Sequence, residues 1–252
     1  MTEFVHSSVE ENVATITIDR VERHNSLVPP LLEELTAAVD AAVATESVRA
    51  IRLETAGSSF STGGDVAAIN GHCDDRTALA DYAERLVGGL NETLLALYRA
   101  PIPVVVGVDG LVTGGSLGFL LVADAVVMDP DATITPYYPV VGFSPDGGWT
   151  ALLPEIIGPI RTRRVLTTNE TITAQQAERW GLATDVSHDV AAASAGLASG
   201  MVDSCAGSVE TTRSLVGPSA ETLEARLAAE RRAFVDQVVT REALHGMAAF
   251  LE

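Results

Sequence analysis

An α/β core followed by a helical C-terminal region is the fold class this sequence predicts, on three observations. Short β-rich runs alternate with helical patterns from residue 4 to about residue 190. Apolar residues make up 47% of the 252 positions, enough to bury a substantial core. Beyond Val190 the chain reads as almost entirely helical, rich in Ala, Leu, Glu and Arg, with no convincing strand. Strand and helix in alternation favour a layered α/β architecture.

The elements follow in order. Residues 4–9 and 13–19 are β-rich and alternating, with a turn at Glu11-Asn12, and so predict a hairpin. Pro29-Pro30 opens a helix that places Leu31, Leu32, Leu35, Ala38, Val39, Ala42 and Val43 on one face. Residues 48–55 read as the next strand and lead into a small-residue loop, 56–65. A long helix is expected over about 77–98, stopped by Pro101-Ile102-Pro103 and followed by a buried strand at 104–108. Residues 110–122 read as glycine-rich and then helical, and 125–128 as a strand. A soft boundary near 190 separates a core, 1–190, from a helical region, 191–252, and no fixed-period repeat is visible.

Charge bounds the partners. Thirty-four acidic residues against 16 basic ones give a net charge of −18, which repels phosphate backbones and argues against nucleic-acid binding. All 16 basic residues are arginine. Without lysine there is no Schiff base, no pyridoxal-phosphate anchor and no Walker-type phosphate loop. An acidic, lysine-free surface suits a protein working in concentrated salt, where ions screen carboxylate repulsion. A GC-rich genome would account for the missing lysine but not for the charge. Cys73 and Cys205 provide no disulfide framework and suit a reducing compartment. No apolar run approaches the ~18 residues of a membrane span, and Met1-Thr2-Glu3-Phe4-Val5-His6 lacks the basic-then-apolar pattern of a secretory signal. The expectation is a soluble, cytoplasmic protein with neither nucleic-acid nor membrane partner.

Three glycine-rich stretches carry candidate chemistry. Phe60-Ser61-Thr62-Gly63-Gly64-Asp65-Val66 follows a strand; its glycines can turn peptide N–H groups toward a ligand, and Asp65 can cap the next turn. Alone it reads as an ordinary glycine turn. Residues 108–118, with Gly114-Gly115-Ser116-Leu117-Gly118, again follow a strand and open a helix, where free N–H groups suit an oxyanion. The same stretch fits G-x-S-x-G, yet the strand ends near Val108, too early for a nucleophile elbow. It also lacks the compact dinucleotide fingerprint. In Gly142-Phe143-Ser144-Pro145-Asp146-Gly147-Gly148-Trp149, Asp146 is either a turn residue or a general base. His72-Cys73-Asp74-Asp75 reads as a solvated loop, because four adjacent residues cannot converge on one metal ion.

In this order and spacing the three stretches resemble the crotonase superfamily, the enoyl-CoA hydratase/isomerase family. The Arg20-Val21-Glu22-Arg23-His24-Asn25-Ser26-Leu27 segment and the terminal Gly246-Met247-Ala248-Ala249-Phe250-Leu251-Glu252 helix extend the resemblance over nearly the whole chain. It implies a crotonase-like spiral of ββα units capped by C-terminal helices, assembled as a homotrimer or dimer of trimers. It implies an acyl-CoA substrate whose thioester oxygen lies between the N–H groups of Gly64 and Gly115. No separate cofactor or metal is implied, since coenzyme A is part of the substrate. Asp65, Val66 and Ala67 would run along the coenzyme A moiety. Arg23 and His24 are the nearest cations where such proteins often use lysine.

The departures point to a subtype. Hydratases of the family carry two glutamates, which here fall on Gly118 and Tyr138. Asp146 falls where some isomerase members carry an aspartate, and one carboxylate suffices to move a proton between two carbons. Tyr138 would orient substrate instead. The resemblance therefore implies an enoyl-CoA isomerase, with a hydratase or lyase using another group, or a non-catalytic acyl-CoA-binding member, as the alternatives.

Overall fold

Alternating Val, Ile and Thr at the start of the chain pair as an antiparallel hairpin of β1 (Val5–Glu10) and β2 (Val13–Ile18), with Val5 opposite Ile18. The computed structural model describes residues 4–252, so residues 1–3 of the stretch searched for a leader lie outside the described residues. Proline pre-sets the first turn of α1 (Pro29–Ala44), whose Leu31, Leu32, Leu35 and Val39 are fully buried. β3 (Ala50–Thr55), α2 (Val66–Asn70) and α3 (Arg76–Arg99) follow; Asp75 begins α3 by accepting the Thr77 and Ala78 N–H groups. Next come β4 (Val104–Val108), β5 (Leu111–Thr113) and α4 (Leu117–Leu121), then β6 (Ala125–Met128), β7 (Thr133–Thr135) and α5 (Tyr138–Val141). The repeated β-β-α order is the spiral. It closes with α6 (Leu153–Ile157), α7 (Pro159–Thr168), β8 (Ile172–Thr173), α8 (Ala174–Trp180) and β9 (Asp185–Val186). The helices α9 (Val190–Val202), α10 (Ala206–Leu215), α11 (Ala220–Val238) and α12 (Arg241–Leu251) complete the chain.

Two sheets result. The larger has the order β1-β2-β3-β4-β6-β9, parallel except for the β1 edge, and the smaller has the order β5-β7-β8. β4 is buried at every residue because both of its faces are covered. On one side Val106 and Val108 face the main core with α1 and α3. On the other, Val105 joins Val13, Ala50, Ala125 and Ala198 under α9, and Gly107 leaves the room that Val190 and Ser194 occupy. α11 packs along α3, and α12 packs against α2 and α5, which brings the last two helices to the same end of the molecule as the glycine-rich loops.

The long helix and the early strands fall within two residues of the sequence reading. The 110–122 stretch differs: it opens as strand β5, passes through a single 3-10 turn at Gly114–Ser116, and only then becomes the five-residue α4. β7, β8 and β9 were not read from the sequence. Strands of two or three residues complete no alternation that a periodic pattern could register.

Candidate active site

The first two glycine-rich loops are joined side by side. Ser61 N–H donates to Leu111 O (2.9 Å) and Thr113 N–H to Ser61 O (3.0 Å). Ser116, fully buried, shares its hydroxyl proton between Thr113 O (2.7 Å) and Ser61 O (3.2 Å). Gly63 makes the crossing possible: its φ is +70°, and a Cβ there would stand 2.6 Å from Thr113 O. Around Gly64 the neighbouring donors are spent, Gly63 N–H on Ser61 Oγ (3.2 Å) and Asp65 N–H on Leu27 O (3.0 Å). The Gly64 N–H itself enters no hydrogen bond among the described residues. Gly115 lies in the first turn of the 3-10 segment, where N–H groups have no acceptor within the helix. Both glycines line one cavity of about 500 Å³.

The third loop brings a carboxyl group to the same place. Built on Gly115, a Cβ would lie 3.0 and 3.1 Å from the two carboxyl oxygens of Asp146, so this side chain sits directly against the turn. Tyr138 Oη donates to Asp146 Oδ1 (2.6 Å) and lies 3.1 Å from Asp146 O. Burial pushes the Asp146 carboxyl up to about 7, and the Glu230 carboxylate adds to that rise while the Tyr138 bond opposes it. The same burial and the facing carboxyl hold the Tyr138 phenol well above its ordinary value, so it remains a donor. Position 118, one of the two glutamate positions of the hydratase pattern, has no room for a side chain. A Cβ there would meet Gly147 O at 2.7 Å and Leu94 Cδ1 at 2.6 Å.

At the mouth, Asp65 is not free to meet a ligand. Its buried carboxylate caps α2 through Ala68 N–H (3.1 Å) and pairs with Arg20 (2.9 Å) and Arg23 (3.0 Å). Burial alone would raise this carboxyl, but these donors hold it below the usual range. Arg23 still leaves its side chain 47% exposed at the cavity rim. His24 adopts a left-handed backbone and is exposed beside it, with Val66 and Ala67 on the first turn of α2 completing that side. All nine residues singled out from the sequence therefore line one cavity.

The sequence reading missed most of the apolar wall. Ile69, Leu86 and Leu90 come from α2 and α3, while Phe143, Phe234 and Phe250 come from the third loop and the last two helices. The last helix carries part of the resemblance, yet nothing in its pattern tells which of its apolar residues line the cavity. His72, Cys73 and Asp75 are each spent locally: the His72 ring stacks on Tyr82, Cys73 Sγ donates to Asn70 Oδ1, and Asp75 caps α3.

Comparison with known proteins identifies the family and the fold. A family profile described as enoyl-CoA hydratase/isomerase matches residues 8–252. The trans-2-decenoyl-[acyl-carrier-protein] isomerase of Streptococcus mutans is 31% identical over 177 residues, 69% of this chain and just under two thirds (66%) of that protein. The probable enoyl-CoA hydratase EchA14 of Mycobacterium tuberculosis is 30% identical over 193 residues, 77% of this chain and 73% of that protein. Among solved structures, an enoyl-CoA hydratase from Bacillus halodurans superposes with a TM-score of 0.91 at 23% identity, covering 98% of this chain and 99% of that one. That likeness shows the shared fold.

Proposed function

The chain belongs to the enoyl-CoA hydratase/isomerase family, and from that premise we propose that it shifts a double bond in an enoyl-CoA thioester with Asp146 as the proton shuttle. The observation that carries this reading is the buried Asp146 carboxyl, set against the Gly115 turn and brought to a pKa of about 7. A general base works best with a pKa near the operating pH.

The chemistry follows from the arrangement. With 3-enoyl-CoA, the Asp146 carboxylate removes a proton from the carbon next to the thioester. The freed electron pair moves onto the thioester oxygen as a dienolate, where the Gly64 and Gly115 N–H groups hold it. Each such fixed donor is worth roughly 3–4 kcal/mol in the transition state. The Asp146 carboxylic acid then returns the proton at the γ-carbon, the charge flows back, and 2-enoyl-CoA leaves with no net gain or loss of atoms. Tyr138 keeps the carboxyl aimed through both steps. Ile69, Leu86, Leu90 and Phe143 enclose the acyl chain in an apolar wall that excludes water.

Hydration would need a second positioned acid or base. Among the described residues the other carboxylates lining the cavity are Glu22, exposed at the rim, and Asp65, locked between two arginines. The test is incubation with 3-enoyl-CoA and 2-enoyl-CoA followed by product identification. Interconversion without hydroxyacyl-CoA supports the reading. Rapid formation of 3-hydroxyacyl-CoA makes the protein a hydratase, and binding without turnover makes it a non-catalytic member.

A further inference from the structure

Behind the Asp146 loop lies another buried carboxylate, Glu230 of α11, only 4% exposed. Its Oε2 accepts the Gly148 N–H (2.8 Å). Its Oε1 accepts the Thr150 N–H (2.6 Å), the Thr150 hydroxyl (2.7 Å) and the Ala151 N–H (2.9 Å). A carboxylate offers about four lone-pair directions, and here a single loop supplies four donors, three to Oε1 and one to Oε2. No arginine or histidine pairs with Glu230 among the described residues. An isolated buried charge is costly: burial holds the Glu230 carboxyl above its ordinary value, and the loop donors offset part of that desolvation.

The gripped loop is the one that sets Asp146 in place. On its other side Trp149, fully buried, donates from Nε1 to Gly114 O (2.7 Å), at the oxyanion turn. Gly147, with φ of +62°, passes so near that turn that a Cβ would lie 2.6 Å from Gly115 Cα. The loop is thus clamped between Gly114 and Glu230, with Asp146 at its start.

We propose that Glu230 is a positioning residue, holding the Asp146 loop against the oxyanion turn and placing a negative charge behind the shuttle carboxyl. The inference rests on Asp146 being the shuttle. The ionisable groups that act on Asp146 are Tyr138 from α5, which donates to it, and Glu230 from α11. Removing the Glu230 charge therefore moves Asp146 ionisation toward lower pH.

Two variants separate geometry from charge. Glu230→Gln keeps the size but removes the charge and turns an N–H group toward a loop donor. Glu230→Asp keeps the charge and shortens the reach by one methylene. For Glu230→Gln the expected result is a kcat loss of roughly 10- to 100-fold, the scale of a misplacement near 1 Å, with KM for enoyl-CoA little changed. The acid limb of kcat/KM should shift to lower pH. For Glu230→Asp kcat should fall while the limb stays near its wild-type position. A folded Glu230→Gln protein with unchanged kcat and an unchanged limb overturns the proposal, as does Glu230→Asp with unchanged kcat.

A readout free of turnover separates this inference from the reaction assigned above. Carboxyl-carbon NMR of Asp146 in wild type and Glu230→Gln follows its titration directly. A midpoint that falls in the variant supports the positioning role even if the wild type does not isomerise enoyl-CoA. A midpoint that stays in place overturns the placing of a negative charge behind Asp146, whatever reaction the protein performs.

Discussion

The burial that raises the Asp146 carboxyl also makes its ionisation cost stability. Its carboxyl is raised to about 7 in the folded protein against about 4 in an unfolded chain. A raised acid binds its proton more tightly when folded. The stability it contributes is therefore complete below about pH 4 and is lost as pH rises toward 7, with no further loss above. Asparagine keeps the shape and can still accept the Tyr138 hydrogen, but it does not ionise. Asp146→Asn should accordingly gain Tm over wild type progressively between about pH 4 and 7, read by calorimetry at fixed ionic strength. A difference in Tm that is constant across that range would mean the carboxyl is not titrating near neutrality.

At the scale of elements, the site depends on two loops fastened to each other and not on any one helix or strand. Ser116 joins them through one hydroxyl that reaches Thr113 O and Ser61 O in a site without solvent. Ser116→Ala should cost roughly 0.5–1.5 kcal/mol, the net worth of a typical hydrogen bond, because Ser61 O keeps the Thr113 N–H, and urea titration would measure it. An effect below a few tenths would show that the backbone bonds alone hold the loops. This joinery explains what the sequence could disclose. Hairpin, long helix and valine-rich strand were legible because each runs long enough to complete its period. The second sheet was not, because β5, β7 and β8 hold two or three residues apiece and exist only through partners elsewhere in the chain. The glycine loops were legible as loops, and their placement of Gly64, Gly115 and Asp146 in one cavity required the family resemblance. Glu230 gave no signal at all: it sits in a charged helix, and its four donors lie 79 to 82 positions away.

The whole molecule carries a charge of −18 with arginine as its only strong cation. We propose that it works in concentrated salt. Its Tm should climb from ~0.1 M to molar salt as the screening length contracts from ~10 to ~3 Å. A flat Tm would leave codon usage as the account of the missing lysine. In the proposed reaction the oxyanion donors come from the two central loops, the base from the third, and the apolar wall from α2, α3, the third loop and the last two helices. That reaction is tested most directly by the rate at which Asp146→Asn converts 3-enoyl-CoA to 2-enoyl-CoA beside wild type. The account predicts a kcat lower by roughly 10²–10⁴-fold, the usual contribution of general acid–base catalysis, with acyl-CoA affinity nearly unchanged because the oxyanion donors are backbone groups. A variant that isomerises at close to the wild-type rate would contradict it.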